Sequence, residues 1–287
     1  GYSNLERGEL KKMVGPEVKR DSAVRVVERF EISRRRACRI LSLHRSTLEY
    51  KPKRQDDEEV KAKMKMFASK YRRFGRPRIH NELRKSGLKI NHKKTARLYR
   101  KLALQLKYRK GKKRHNVIRI PRPRPTKPNE VWSIDFMFDR FENGRRMKIL
   151  TVVDDFSKEI PDLLIDTSIT GHHLVRFFDS MKTLPKRLKC DNGTELWSKA
   201  FMNWAESRGI QIDFIEPGKP NQNAFIESLN SRIRDECLNE NLFQSPEHAR
   251  GIILGYKDFY NRERPHSSLS YRTPKEFGDE QRSMLTP

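Results

Sequence analysis

Apolar residues recur at helical spacing through the first hundred positions and in short strand-like runs after position 130, so the pattern divides the chain into an all-α front and an α/β rear. Between Asp21 and Tyr50 the segments DSAVRVVERF, SRRRACRILSL and HRSTLEY place Val24, Val27, Ala37, Ile40, Leu41 and Leu48 on helical faces, with a break at Ser42-Leu43. This predicts a helix-turn-helix whose last helix presents Arg45, Ser46, Thr47 and Tyr50 to a major groove. A second unit follows, with helices in VKAKMKMFASKYRRF, RPRIHNELRKSG and NHKKTARLYRKLAL. Gly87 suits the residue after a helix end and Asn91 an N-cap, so the third helix starts near His92. It carries Lys93, Lys94, Arg97 and Arg100 for DNA and leaves Ala96, Leu98 and Leu102 for packing.

Positions 106–128 lack apolar periodicity and are rich in Lys, Arg and Pro, which predicts an extended tether. Beyond it, VWSIDFMFDRF and RRMKILTVVDDF read as strands joined by a hairpin turn at Glu142-Asn143-Gly144. A third strand near 162–165, a helix over 171–182, the short strand RLKC, a helix near 197–208, the strand IQIDF and a helix from Ala224 to Leu238 complete a ribonuclease-H-like order. The expected domains are a helix-turn-helix over 1–51, a second basic helix-turn-helix-like unit over 52–105, the linker, and a catalytic core with a C-terminal extension over 129–280.

Charge sharpens this division. Residues 1–130 hold 41 Lys/Arg against 13 Asp/Glu, whereas residues 131–287 hold 22 against 24. Within 61–120 there are 23 cations and one acid, Glu82, a density that repels itself unless a polyanion neutralises it. DNA or RNA is the expected partner, with affinity that falls as salt rises. Three scattered cysteines without a CxxC pair argue against a disulfide framework and a cysteine zinc site, and the absence of a long apolar run predicts a cytoplasmic protein.

Asp135, Asp191 and Glu227 carry the candidate chemistry. Asp135 falls mid-strand, where a charge is costly unless paired or metal-bound, Asp191 ends a strand, and Glu227 enters the first turn of a helix. Phosphodiester chemistry needs an activated nucleophile, a stabilised leaving oxygen and in-line geometry, which two divalent ions supply together; magnesium takes carboxylate, water and phosphate oxygens. Asp154 and Asp155 end a strand as well, so a structural role for one of them stays open, and Asp139 shares the face of Asp135.

VWSIDF, VVDDFS, CDNGTE, FIEPGKPNQNAFIESLNSRIRDECLN and YNRERPHSSLSYRTPKEF resemble the integrase core of OrfB-type transposases of the IS-three family of bacterial insertion sequences. SRRRACRILSLHRST and FGRPRIHNELRKSGLKINHKKTARLYRKLAL resemble the helix-turn-helix units upstream of that core. Thirty-five residues separate Asp191 from Glu227, as in the family's Asp-Asp-(35)-Glu pattern. The resemblance implies Asp135, Asp191 and Glu227 as catalytic metal ligands for two Mg²⁺ ions, with Mn²⁺ as a substitute, in DNA nicking at element ends and 3′-OH strand transfer. It also implies that Arg234 clamps a terminal phosphate and that Lys219, Gln222 and Asn223 touch substrate DNA. A homodimer or larger assembly on DNA is implied, together with an upstream OrfA-type partner or fused segment. Two other classes fit the same residues: a DNA-binding regulator without activity, and a structure-selective nuclease of the same fold.

Overall fold

The computed structural model describes residues 15–50, 57–106, 124–216 and 223–285. The chain forms two compact units, Gly1–Glu59 and Val60–Pro287.

In the first unit, α1 (Pro16–Phe30), α2 (Arg34–Ile40) and the four-residue α3 (Arg45–Leu48) follow the expected helical order. Ser33 caps α2 by accepting a hydrogen bond from the Arg36 N–H, and Ser42 takes a left-handed conformation at the expected break. The packing face matches the one read from periodicity only in part. Ala23, Ala37, Cys38 and Leu41 are buried, while Val24 and Ile40 stay 48% and 38% exposed. Small residues fill the space between such short helices, and the bulkier neighbours turn outward.

The second unit opens with α4 (Glu58–Lys70), α5 (Arg76–Lys85) and α6 (His92–Lys101). Gly87 ends the α5 segment at φ +86°, and the Asn91 side chain caps α6 by accepting from the Lys93 N–H. Met64, Phe74, Ile79, Leu83, Leu98 and Tyr99 make their core.

The remaining residues build a five-stranded sheet in the order β3-β2-β1-β4-β5. The strands are β1 (Val131–Arg140), β2 (Arg146–Asp154), β3 (Leu163–Asp166), β4 (Arg187–Cys190) and β5 (Gln211–Phe214). The β1–β2 and β2–β3 pairs are antiparallel, whereas β4 runs parallel to both β1 and β5. The hairpin turns where expected, with Gly144 at φ +80°. One face carries α7 (Gly171–Asp179) and α8 (Lys199–Ser207) over Ile134, Leu150, Val152, Leu188 and Cys190. The other packs Met137, Met147, Ile149 and Val153 under α9 (Ala224–Glu236) and α10 (Pro246–Arg262). This strand order is the ribonuclease-H-like one, and α11 (Pro274–Leu285) closes the described chain.

Arg264, 2% exposed, anchors the far end of α9. Its Nε and Nη2 each donate to the Glu236 carboxylate at 2.6 Å, and Nη1 lies 3.2 Å from His266 Nε2. Tyr256 Oη donates to Glu236 at 3.1 Å, and Arg78 of α5 reaches the same carboxylate at 3.4 Å. Burial alone would raise the Glu236 pKa, but the hydrogen bonds and charge of Arg264 hold it below the ordinary value. Burial beside this guanidinium drives His266 down to about 2, so its ring stays neutral. Removing one partner strands a buried charge. Arg264→Met is therefore expected to cost about 3–5 kcal/mol in denaturant unfolding, and Arg264→Met/Glu236→Leu less than the sum of the single changes; additive losses would contradict this.

Candidate active site

Asp135 sits midway along β1, opposite Thr151 of β2 on the face covered by α9. Its half-buried carboxylate needs partners for its oxygens. The Phe136 N–H donates to Oδ1 at 2.8 Å and Asn230 Nδ2 to Oδ2 at 2.7 Å. Thr151 Oγ1 lies within hydrogen-bond distance of Asn230 Oδ1 (2.8 Å) and of the Asp135 carbonyl (3.1 Å), so the hydroxyl orients the amide that orients the acid. Asn230 lies one turn beyond Glu227 on the same face of α9. Periodicity marks that face without naming Asn230, and this contact escaped the sequence reading.

Asp191 follows the last residue of β4, and its Oδ1 accepts from the Gly193 N–H at 3.2 Å. Glu227 is exposed in the first turn of α9, where the helix dipole favours a negative charge. Burial pushes the Asp135 pKa up to about 6; the Phe136 N–H opposes this, and the charges of Asp191 and Glu227 add to it. Three carboxylates from three elements therefore act on one another at the carboxyl edge of the sheet. Among the described residues, no three His, Cys, Asp or Glu side chains are spaced to enclose one metal ion together. The donor set is nonetheless all hard oxygen, the kind that magnesium-type ions take, and it carries a repulsion that a cation would relieve.

Both aspartates of the 152–157 segment are structural. Asp154 is buried and accepts from the Asn129 and Phe156 N–H groups and from Ser157 Oγ. Asp155 accepts from Ser133 Oγ at 2.7 Å and Lys189 Nζ at 2.9 Å, tying β1 to β4 just before Asp191. Lys148 of β2 binds Glu195 in the loop after Asp191 and lies 4.0 Å from the Phe136 ring centroid. Nothing in the spacing of Lys148 and Glu195 signals this tie.

Arg234, two turns beyond Glu227, ion-pairs with Asp139 at 3.2 Å and donates to the Phe138 carbonyl at 2.7 Å. Asn223 is buried at the start of α9, with Oδ1 lacking a hydrogen-bond partner among the described residues. Lys219 and Gln222 lie outside the described residues. On α6, His92, Lys93 and Arg100 are exposed, while Lys94 and Arg97 are half-buried. In the first unit Arg45 and Ser46 are exposed and Thr47 is half-buried; Ser46 Oγ lies 2.6 Å from His44 Nδ1. The three cysteines are free and buried, and none takes part in a candidate metal cluster among the described residues. No described helix is long and apolar enough to cross a membrane.

Two family models described as integrase core domains match residues 125–220 and 208–274, and an HTH-like domain model matches 54–112. The chain is 43% identical over 266 residues to the insertion element IS407 uncharacterized 31.7 kDa protein of Burkholderia multivorans, covering 91% of this chain and 95% of the relative. It is 39% identical over 281 residues to the insertion element IS476 uncharacterized 39.2 kDa protein of Xanthomonas euvesicatoria, covering 96% and 81%. Identity to the transposase for insertion sequence element IS904 of Lactococcus lactis subsp. lactis is 27% over 237 residues, covering 77% and 92%. Fold and matches together define an integrase-core polynucleotidyl transferase with a helix-turn-helix-like DNA-binding segment. The chain belongs to the OrfB-type transposases of the IS-three family of insertion sequences.

The raised Asp135 pKa gives stability a definite pH dependence in chelator. A carboxyl whose folded pKa exceeds its unfolded value near 3.8 favours the folded state when protonated, and that advantage is lost as pH rises through about 6. The melting temperature of Asp135→Asn minus that of the parent is therefore expected to increase between pH 4 and pH 7.5, by the equivalent of about 2–3 kcal/mol. A difference that stays constant over this range would contradict the burial and repulsion assigned to Asp135.

Proposed function

We propose that the chain cuts and joins DNA strands at the ends of its insertion element, with Asp135, Asp191 and Glu227 as catalytic residues and ligands of two Mg²⁺ ions, Mn²⁺ substituting. The convergence of these three carboxylates, from a mid-strand position, a strand end and a helix N-terminus, carries the reading. When bound, the ions would activate the attacking oxygen, water for nicking and a DNA 3′-OH for strand transfer, and stabilise the leaving oxygen. The chain's own contribution is orientation. Thr151 and Asn230 fix the Asp135 carboxylate, the Ser133–Asp155–Lys189 link holds β4 beside β1, and Lys148 restrains the loop beyond Asp191 through Glu195.

DNA phosphates would compete with Asp139 for Arg234, which stands on the Glu227 face of α9. Lys219 and Gln222 in the preceding loop, and Asn223 at the start of α9, are assigned to substrate DNA on the family resemblance alone. His92, Lys93, Lys94, Arg97 and Arg100 of α6 would hold phosphates, and Arg45, Ser46 and Thr47 of α3 would read a groove. Two element ends must be coordinated, so the working form is a homodimer or larger assembly on DNA, with an OrfA-type partner or fused segment contributing to end binding.

The test is cleavage and joining of a labelled duplex bearing the element's terminal sequence, in Mg²⁺. Asp135→Asn, Asp191→Asn and Glu227→Gln are each expected to reduce both reactions to background while DNA affinity is retained. Binding by the parent without cutting or joining would instead favour a regulator, and cutting without joining a nuclease. For the same duplex, log affinity should fall linearly with log salt, and Lys93→Ala/Arg100→Ala should reduce that slope by about 2. An unchanged slope would remove α6 from the DNA interface.

A further inference from the structure

Among the chain's three tryptophans, Trp132 and Trp204 are 2% and 6% exposed, whereas Trp197 is 53% exposed. Its indole stacks on Phe214 with ring centroids 3.9 Å apart and planes 9° from parallel. One face of the indole is thus covered by an aromatic ring. So much exposure for a residue so placed leaves the other face to solvent.

The backbone beneath this ring is anchored. Leu196 is fully buried, the Trp197 N–H donates to the Gly193 carbonyl at 3.2 Å, and the Ser198 N–H donates to the Glu195 carbonyl at 3.3 Å. Ser198 lies so close to Gly171 that a Cβ there would fall 1.9 Å from Ser198 Oγ. Trp197 cannot sink without displacing these contacts, so the plane is held in advance of any ligand.

Its position connects it to the reaction. Phe214 is the β5 residue paired with Cys190, the residue immediately before Asp191. The Ile215 N–H donates to the Cys190 carbonyl at 2.9 Å, and Asn192 Nδ2 reaches the Ile215 carbonyl at 3.4 Å. The aromatic pair therefore joins the loop that carries Asp191 to the segment that leads towards Glu227. Ligands of open α/β sheets bind outside the carboxyl ends of the strands, where this pair stands. A nucleobase presents a neutral π-face that stacks on an exposed indole whatever the sequence.

We propose that Trp197, backed by Phe214, is a stacking site for an unpaired nucleobase of the DNA being processed, which positions the strand at the rim of the Asp191 loop. The proposal rests on the strand-transfer reading for its substrate, not on catalysis for its test. The probe is a labelled duplex with a short single-stranded thymidine overhang, compared with the blunt duplex, using the full chain in the parent and Asp135→Asn forms. Tryptophan emission should be quenched on binding the overhang in both forms and not in Trp197→Phe, since the other two indoles are buried. Trp197→Ala should lose about 5- to 100-fold in affinity for the overhang relative to the blunt duplex, and Trp197→Phe should recover most of it. Quenching that persists in Trp197→Phe, or overhang affinity unchanged in Trp197→Ala, would overturn the site. So would loss of self-association in Trp197→Ala with DNA affinity intact, which would assign the surface to a second copy of the chain. Because Asp135→Asn removes turnover and leaves the indole in place, failure of the stacking site and failure of the transferase reading register separately.

Discussion

Burial of a carboxylate midway along β1 is the constraint on which the site depends. Desolvation of Asp135 is the larger cost, and the charges of Asp191 and Glu227 add to it. Three polar links hold the surroundings in place: Thr151 and Asn230 join β1, β2 and α9; Ser133, Asp155 and Lys189 join β1 to β4; and Arg264 clamps Glu236 at the far end of α9. The two ends of α9 are thus under different demands. Its first turn carries an exposed acid, and its last turn is locked into a buried ion pair that also engages Arg78 of the helix-turn-helix-like segment. A desolvated carboxylate held in this way suits ion binding, because a cation offsets its charge without rebuilding the scaffold.

Elements with a strong local signal were legible in the sequence. Asn143-Gly144 specified the hairpin because few residue pairs accept its left-handed turn, and Asn91 and Gly87 marked helix boundaries through the backbone groups they satisfy or the conformation they permit. The carboxylates at 135, 191 and 227 stood out by context, and the strand order followed from the succession of elements. Long-range choices were not legible. Periodicity marked Val24 and Ile40 along with Ala37 and Leu41, but only the latter two are buried, joined by Ala23 and Cys38, which the periodicity did not mark. Thr151, Asn230, Lys148 and Glu195 come from separate segments, and their hydrogen bonds exist only once the sheet and α9 are assembled. Arg264 looks like an ordinary charged residue until its neighbours Glu236 and Tyr256 are known.

Charge is partitioned between the chain's two tasks. The front half carries an excess of cations, 41 Lys/Arg against 13 Asp/Glu, while the rear half, with 22 against 24, holds the acids proposed for the chemistry. Some of the front's cations are occupied within the protein: Arg73 and Arg78 pair with Glu240 and Glu236, and Lys70 with Glu263, so part of the basic density joins the helical segment to the core. The exposed cations of α6 remain on the surface, where phosphates can reach them. The residues proposed for binding and those proposed for chemistry are therefore different, so substitutions can test them separately.

Counting bound Mn²⁺ by electron paramagnetic resonance reads out whether Asp135, Asp191 and Glu227 together hold divalent ions. Saturable Mn²⁺ binding by the DNA-bound chain is expected, displaced by excess Mg²⁺ and sharply reduced in Asp135→Asn with the fold intact. Binding of the same number of ions at the same affinity by Asp135→Asn, Asp191→Asn and Glu227→Gln would contradict it.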